Sequence, residues 1–296
     1  RPTVAVFTNL TRDHLDMHGT PEAYLAAKAQ LFLAPLPKGT AILNADDPSS
    51  ALLTEIVPPH ATVLRYGHGD EDPVDLCAEA VQVTREGTSA RFRGAFDVEV
   101  QLKLFGSVHV SNALAAALAM HALGVDRTAI VRGLEAFAGV PGRFEVVCAQ
   151  PFVVVDYAHT PDGLRTTLET AHQLLGKGRV ICVFGCGGER DAGKRPLMGA
   201  IADELADVAI LTSDNPRREP PERIAAMVRS GAEGRAAFVE ERDRRRAIQR
   251  ALEQATREDV VVVAGKGHEK TQTIGTTEHV FSDVDVVRAL VGEAAR

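Results

Sequence analysis

The chain of 296 residues has only four cysteines, Cys77, Cys148, Cys182 and Cys186. The last two alone stand close, at C-x3-C spacing, without the His or Cys partners that a zinc or redox motif needs, so reduced thiols of a cytoplasmic protein are expected. No apolar run approaches the ~20 residues that cross a bilayer, and no basic segment followed by an apolar core opens the chain, so neither a membrane anchor nor a signal peptide is expected. A basic surplus is missing too: Lys+Arg number 33 against 40 Asp+Glu, a formal net charge of −7. No global field would gather nucleic acid or an acidic membrane surface, and any phosphate has to be held by a local site. What is present is an ordinary globular mixture, 45% hydrophobic and 25% charged. The length predicts about two domains, each large enough to bury a core without disulfides or a structural metal.

The pattern along the chain divides accordingly. Residues 3–8 are a β-branched apolar run of the kind found inside a parallel sheet. Thr20-Pro21-Glu22 then reads as N-cap, N1 proline and acidic first turn of a helix reaching Phe32. A strand at 41–44, a short helix near 50–57 and a strand around 63–66 continue a βαβ rhythm. From 78 to 104 the period changes to two, with a turn at Glu86-Gly87, which predicts short antiparallel strands inserted beside the parallel sheet. Helices are expected at 108–123 and 126–137. From about residue 150, strands at 152–156, 180–184, 208–212, 237–239 and 260–264 alternate with helices near 162–175, 196–205, 221–232, 242–254 and 283–294. That is a doubly wound α/β domain, which binds ligands beyond the carboxyl ends of its strands.

The segments after those strands are polar and charged: 157–162, 185–191, 213–217 and 265–269. Gly188 to Arg195 nearly matches the phosphate-loop pattern G-x4-G-K-[ST], but Arg195 stands where a Mg²⁺-ligating hydroxyl is required, leaving a solvated basic loop or an anion site for a carboxylate. Gly185-Cys186-Gly187-Gly188 fails G-x-G-x-x-G, so a dinucleotide site is not indicated. Asp13-His14-Leu15-Asp16-Met17-His18 packs two carboxylates and two imidazoles into six residues, and metal binding, catalysis and a capped loop all remain open for it. Lys28 lies within an apolar helix, where a solvent-facing lysine is the ordinary explanation. A desolvated amine there would capture CO₂ as a carbamate and so offer oxygen ligands to a hard cation. Four charged loops at one sheet edge call for a common polar ligand.

Asn9 to Gly19, Ala26-Ala27-Lys28, Pro141-Gly142-Arg143, Asp156 to Asp162, Phe184 to Asp191, Asp214-Asn215-Pro216-Arg217 and Gly265-Lys266-Gly267-His268-Glu269 together resemble, in order, the motifs of the Mur ligases of peptidoglycan synthesis. The resemblance runs essentially end to end. It implies the later part of a P-loop-type ATPase central domain with a small antiparallel insertion, residues 1–146, followed by a Rossmann-like C-terminal domain, residues 147–296. It also implies an ATP- and Mg²⁺-dependent cytoplasmic ligase acting through an acyl phosphate, with no nucleic-acid or membrane partner, expected as a monomer. Its substrates would be UDP-N-acetylmuramoyl-L-alanyl-D-glutamate and an incoming diamino acid. Carried over by position, His14 resembles the Mg²⁺ ligand and Lys28 the carbamylated lysine. Asn112, Arg143, Asp156 and His159 resemble the nucleotide contacts, Asp156 suiting the ribose hydroxyls. Arg190, Asp214, Asn215, Arg217, Gly265 and Glu269 resemble the grip on the incoming amino acid. In the family, Asp-Asn-Pro-Arg goes with meso-diaminopimelate, whose distal carboxylate the arginine can pair with, whereas L-lysine would leave that guanidinium unmatched.

Two departures qualify the resemblance. His109 replaces the first asparagine of the family's G-x-[FH]-N-x-x-N, so that asparagine's nucleotide contact is not carried over. The family's UDP-binding domain, phosphate loop with catalytic lysine and acidic Mg²⁺ ligand lie upstream of the position equivalent to residue 1, so these residues alone are expected not to ligate. The alternatives are an L-lysine-adding or folylpolyglutamate-synthetase-like ligase, or a non-catalytic nucleotide or amino-acid binding module.

Overall fold

The computed structural model describes residues 2–11, 15–33, 39–68 and 74–294. The chain divides into two compact units, Arg1–Ala138 and Gly139–Arg296, so the Pro141-Gly142-Arg143 segment belongs to the second.

In the first unit β1 (Val4–Phe7), β2 (Thr40–Asn44) and β3 (Thr62–Gly67) run parallel, β4 (Leu76–Thr84) joins β3 in parallel, and β5 (Gly87–Gly94) and β6 (Val98–Leu102) follow antiparallel. The strand order is β1-β2-β3-β4-β5-β6. The period-two segment therefore extends the parallel sheet rather than forming a separate one. The helices are α1 (Leu15–His18), α2 (Pro21–Leu33), α3 (Ser49–Ile56), α4 (Ser107–Ala122) and α5 (Arg127–Ala136). As its sequence predicts, α2 is capped by Thr20, whose Oγ1 accepts from Ala23 N at 3.2 Å. Alternation along β2 sends its side chains to opposite faces. Ile42 packs with Phe92, Val100, Leu114 and Leu118 on one side, while Ala41 and Leu43 meet Phe7, Phe32 and Leu53 on the other.

In the second unit the sheet order is β11-β10-β9-β12-β8-β7. Its strands are β7 (Glu145–Ala149), β8 (Phe152–Asp156), β9 (Val180–Phe184), β10 (Val208–Leu211), β11 (Ala237–Glu240) and β12 (Val260–Ala264). All pairings are parallel except β7 with β8. Strands β8, β9 and β12 are buried throughout, which is why they read as unbroken apolar runs. The helices α6 (Pro161–Gln173), α7 (Lys194–Leu205), α8 (Pro221–Arg229), α9 (Arg244–Gln254) and α10 (Asp283–Ala294) lie between or after them, and β13 (Thr271–Ile274) and β14 (Thr277–Val280) form a small hairpin. Because β12 is inserted between β8 and β9, the loops after β8, β12, β9 and β10 stand side by side at one edge. Such an edge is where a doubly wound sheet offers a crevice. Among the described residues no helix is long and apolar enough to cross a membrane.

Candidate functional site

The loops after β10 and β12 meet through their side chains. Lys266 has no solvent exposure, and its Nζ donates to Asn215 Oδ1 at 3.1 Å and Glu269 Oε2 at 2.9 Å. Asn215 Nδ2 donates to the same Glu269 oxygen at 3.0 Å, while Asn215 Oδ1 also accepts from Thr273 N at 3.0 Å. These partners fix which way the Asn215 amide faces. Asp214 is buried, with Lys266 Nζ 3.7 Å from its Oδ1. Burial pushes Asp214 above its ordinary carboxylate value, against the charges of Arg244 and Lys266. Burial would also raise Glu269, but hydrogen bonds from Lys266 and Asn215, with the Lys266 and Arg217 charges, outweigh it and hold Glu269 below its ordinary value.

Arg217, from the loop after β10, lies against the loop after β9 that carries Arg190. A Cβ built on Gly187 would lie 3.2 Å from Arg217 Nη1 and 3.8 Å from Arg190 Cγ. Arg217 Nη1 donates to Gly188 O at 2.7 Å, and Arg190 is exposed. The approach of the two loops depends on Gly188, where a Cβ would fall 1.9 Å from Pro216 O. Arg217 has φ +53°, a left-handed conformation costing a non-glycine residue roughly 1–2 kcal/mol. The β13–β14 hairpin holds it there: Arg217 N donates to Thr273 O at 3.1 Å, and Gly275 N donates to Arg217 O at 2.7 Å.

A second group gathers at the end of β8. Arg143 stacks its guanidinium over the Tyr157 ring, 4.4 Å from the centroid, and Tyr157 also packs against His159 at 4.6 Å and His268 at 5.4 Å. His159 Nδ1–H donates to Tyr157 O at 3.0 Å. Asp156 has internal work: Oδ2 accepts from Phe144 N at 2.6 Å, and Oδ1 accepts from Ala158 N at 2.7 Å and Thr167 Oγ1 at 3.1 Å. It thereby ties the Arg143 turn to the start of α6. Gly265, with φ +115°, donates its N–H to Asp156 O at 3.0 Å.

The first unit yields less. His14 lies outside the described residues. Lys28 is half-buried on α2 with Nζ 4.9 Å from the centroid of Tyr24, whose ring stacks on His18 at 4.8 Å. Asn112 is exposed on the second turn of α4. Among the described residues no group of three or more His, Cys, Asp and Glu is placed to hold a metal ion.

Two side chains that build the second unit's edge, Arg195 and Arg244, take roles that the charge pattern of the sequence does not show. Arg195, in the near-miss phosphate loop, is neither solvated nor an anion site: it is buried and grips both oxygens of Glu219 at 2.7 Å. Lys194, beside it, donates to His159 O at 2.7 Å. Arg190 is thus the exposed cation of that loop. Arg244 is buried in a two-point pair with Asp283, at 2.7 and 2.8 Å, and also donates to Ala264 O at 2.9 Å, just before Gly265. A signal for Arg244 existed: Ala247, Ile248 and Ala251 form the buried face of α9, and one turn back that face lands on Arg244. The cysteines are free thiols, and burial pushes those of Cys182 and Cys186 up to about 12.

Comparison with known proteins gives concordant results. A family model described as the Mur ligase middle domain matches residues 1–120, and one described as the Mur ligase glutamate ligase domain matches residues 142–267. The UDP-N-acetylmuramoyl-L-alanyl-D-glutamate–2,6-diaminopimelate ligase of Synechococcus elongatus is 44% identical over 296 residues, covering 98% of this chain and 58% of that protein. The ligase of the same name from Halalkalibacterium halodurans is 46% identical over 297 residues, with 98% and 60% covered. A solved structure of a ligase of that name superposes with TM-score 0.66 at 38% identity, over 99% of this chain and 61% of that one. The chain therefore spans about three-fifths of the length of the relatives it matches.

Proposed function

This chain belongs to the Mur ligase family, and from that premise we propose that it serves an ATP-dependent, ADP-forming ligase that adds meso-2,6-diaminopimelate to UDP-N-acetylmuramoyl-L-alanyl-D-glutamate in peptidoglycan synthesis. The observation that most supports this reading is Arg217 Nη1 beside Gly187, on the loop that carries the exposed Arg190, next to the Asn215–Lys266–Glu269 cluster. Two guanidinium groups suit a carboxylate, and Glu269 with Asp214 suits an ammonium. One end of diaminopimelate carries both groups on one carbon, whereas the corresponding end of L-lysine carries only the ammonium. With lysine bound, Arg217 would lack a carboxylate partner and keep only its bond to Gly188 O. Arg190, Asp214, Asn215, Arg217, Gly265 and Glu269 are assigned to this grip.

Arg143, Asp156 and His159 of the second unit are assigned to the nucleotide. The exposed edge of the Arg143–Tyr157–His159 stack combines a cation with aromatic faces, which fits a nucleotide. Asp156 contributes chiefly by fixing the Arg143 turn, since three internal donors already engage its oxygens. ATP supplies the phosphoryl group that turns the D-glutamyl carboxylate into an electrophile. For Mg²⁺ the described donor set does not fit as it stands, because an ammonium over a tyrosine ring cannot ligate a cation. Lys28 would serve only as a carbamate, together with His14.

The test measures phosphate release with the nucleotide-linked dipeptide, ATP and Mg²⁺ in the full-length ligase, offering meso-diaminopimelate or L-lysine. Diaminopimelate should be preferred by at least 100-fold, and Arg217→Ala should remove most of that preference. Equal rates with both amino acids would overturn the assignment.

A further inference from the structure

Lys266 has not entered the ligand-gripping set, yet it is among the largest fully buried side chains of the molecule. A lysine is almost never fully buried unless paired, because desolvating its ammonium is expensive. Its placement begins with the backbone. Gly265 at φ +115° ends the apolar run of β12 and turns the chain so that the next side chain points inward beneath the loop after β10. There the ammonium finds Asn215 Oδ1, Glu269 Oε2 and, at 3.7 Å, Asp214 Oδ1. All three oxygens belong to residues assigned above to the incoming amino acid. Glu269 Oε2 is engaged twice, by Lys266 and Asn215, while no described residue donates to Oε1.

We propose that Lys266 is a positioning residue whose ammonium presets Asn215, Asp214 and Glu269 for the amino-acid end of the incoming substrate, leaving Glu269 Oε1 for the substrate's own ammonium. This rests on the proposed diaminopimelate site and adds a residue that acts behind it. The physical need is electrostatic. Asp214 and Glu269 are two carboxylates in one partly buried corner, and without a resident cation their mutual repulsion would splay them or protonate one. Lys266 supplies that cation without occupying the ligand's place. Arg244 reinforces it by carrying Ala264 O, and hence the strand end from which Gly265 and Lys266 depart.

The experiment is calorimetric binding of meso-diaminopimelate to this chain, wild type against Lys266→Ala, Lys266→Met and Lys266→Arg, with circular dichroism of each. Lys266→Met should weaken binding at least 10-fold, and Lys266→Arg should recover part of the loss. For Lys266→Ala, added propylammonium should restore affinity while the neutral propanol should not, a distinction that simple cavity filling would not produce. If the substituted chains fail to fold, the wild type still decides: the Lys266 ζ-ammonium resonance, labelled with ¹⁵N, should shift when diaminopimelate is added. Unchanged affinity in folded Lys266→Met, or an unmoved resonance in a wild type that binds, would overturn the role of Lys266 alone. A wild type that binds no diaminopimelate would overturn the underlying site as well.

Discussion

Asn44 and Asp47, near the carboxyl end of β2 in the first unit, direct their side chains to backbone: Asn44 Nδ2 donates to Thr8 O at 2.7 Å, and Asp47 accepts from Leu10 N at 2.6 Å and Ser49 N at 2.8 Å. Asp46 likewise accepts from the backbone and ring of His68. At the corresponding edge of the second unit, Asn215, Lys266 and Glu269 bond one another, and Arg195 and Arg244 are consumed in two-point ion pairs behind them. In one sheet the polar strand ends close loops onto themselves. In the other, polar side chains also bond one another across two loops, with buried ion pairs behind them. Polar residues after a strand therefore do not by themselves mark a ligand edge; what distinguishes the second edge is the buried ion pairs beneath it.

The sharpest way to break this comparison is to remove that support. Arg244→Met leaves Asp283, which has no exposure, as an uncompensated buried charge. Urea unfolding should show the second unit destabilised by about 3–5 kcal/mol, the usual cost of taking one partner from a buried pair. A loss under 1 kcal/mol would mean that Arg244 is not a support. The Arg195 pair makes a prediction in pH. The hydrogen bonds from Arg195 hold Glu219 down to about 2, from an ordinary 4.5, against the effect of burial. A carboxylate depressed by folding contributes stability that is complete above its unfolded value and disappears as pH falls through its folded one. The wild type should thus lose about 3 kcal/mol more than Glu219→Gln between pH 5 and pH 2 in acid-unfolding curves. Asp259, held to about 2 by Arg179 and backbone donors despite burial, adds a loss in the same window, which Glu219→Gln leaves in place.

Smaller effects sharpen the contrast between the edges. Asn44→Ala should destabilise the first unit by about 1–2 kcal/mol, since Thr8 O loses its donor. Because that asparagine only closes a loop, diaminopimelate affinity measured by calorimetry should stay unchanged. Thr160→Ala removes the N-cap of α6, where Gly163 N donates to Thr160 Oγ1 at 3.1 Å, and should lower stability by about 1 kcal/mol in denaturant titrations.

Much of this architecture was legible beforehand, for identifiable reasons. The buried strands β8, β9 and β12 announce themselves as unbroken valine and isoleucine runs, and the capped helix from Pro21 by Thr20 and the N1 proline. The strings around Asp214 and Gly265 mark two loops whose side chains meet. The supports did not show, because burial of a charge is a tertiary fact. Arg244 sits in Arg242-Asp243-Arg244-Arg245-Arg246, which reads as a solvated basic turn, and only the projection of α9 singles it out. Arg195 reads as the failure of a phosphate loop until Glu219, 24 residues later, is seen to receive it. The hairpin of β13 and β14 escaped notice because its strands are short and mostly exposed, with little apolar alternation. The sequence does not set off β7, the antiparallel edge strand ahead of β8, because it is only half-buried and its register shifts between Val146 and Cys148.

On the proposed role of Arg217, that hairpin has a bearing on how specificity can be transplanted. Thr273 and Gly275 clasp the arginine's main chain from more than fifty positions downstream, in a backbone posture that side chains ordinarily avoid. Copying Asp-Asn-Pro-Arg into a lysine-preferring homologue would move the letters without the clasp, and the guanidinium would relax away from its mark. A chimera that imports residues 271–280 along with the tetrapeptide carries both halves of the device.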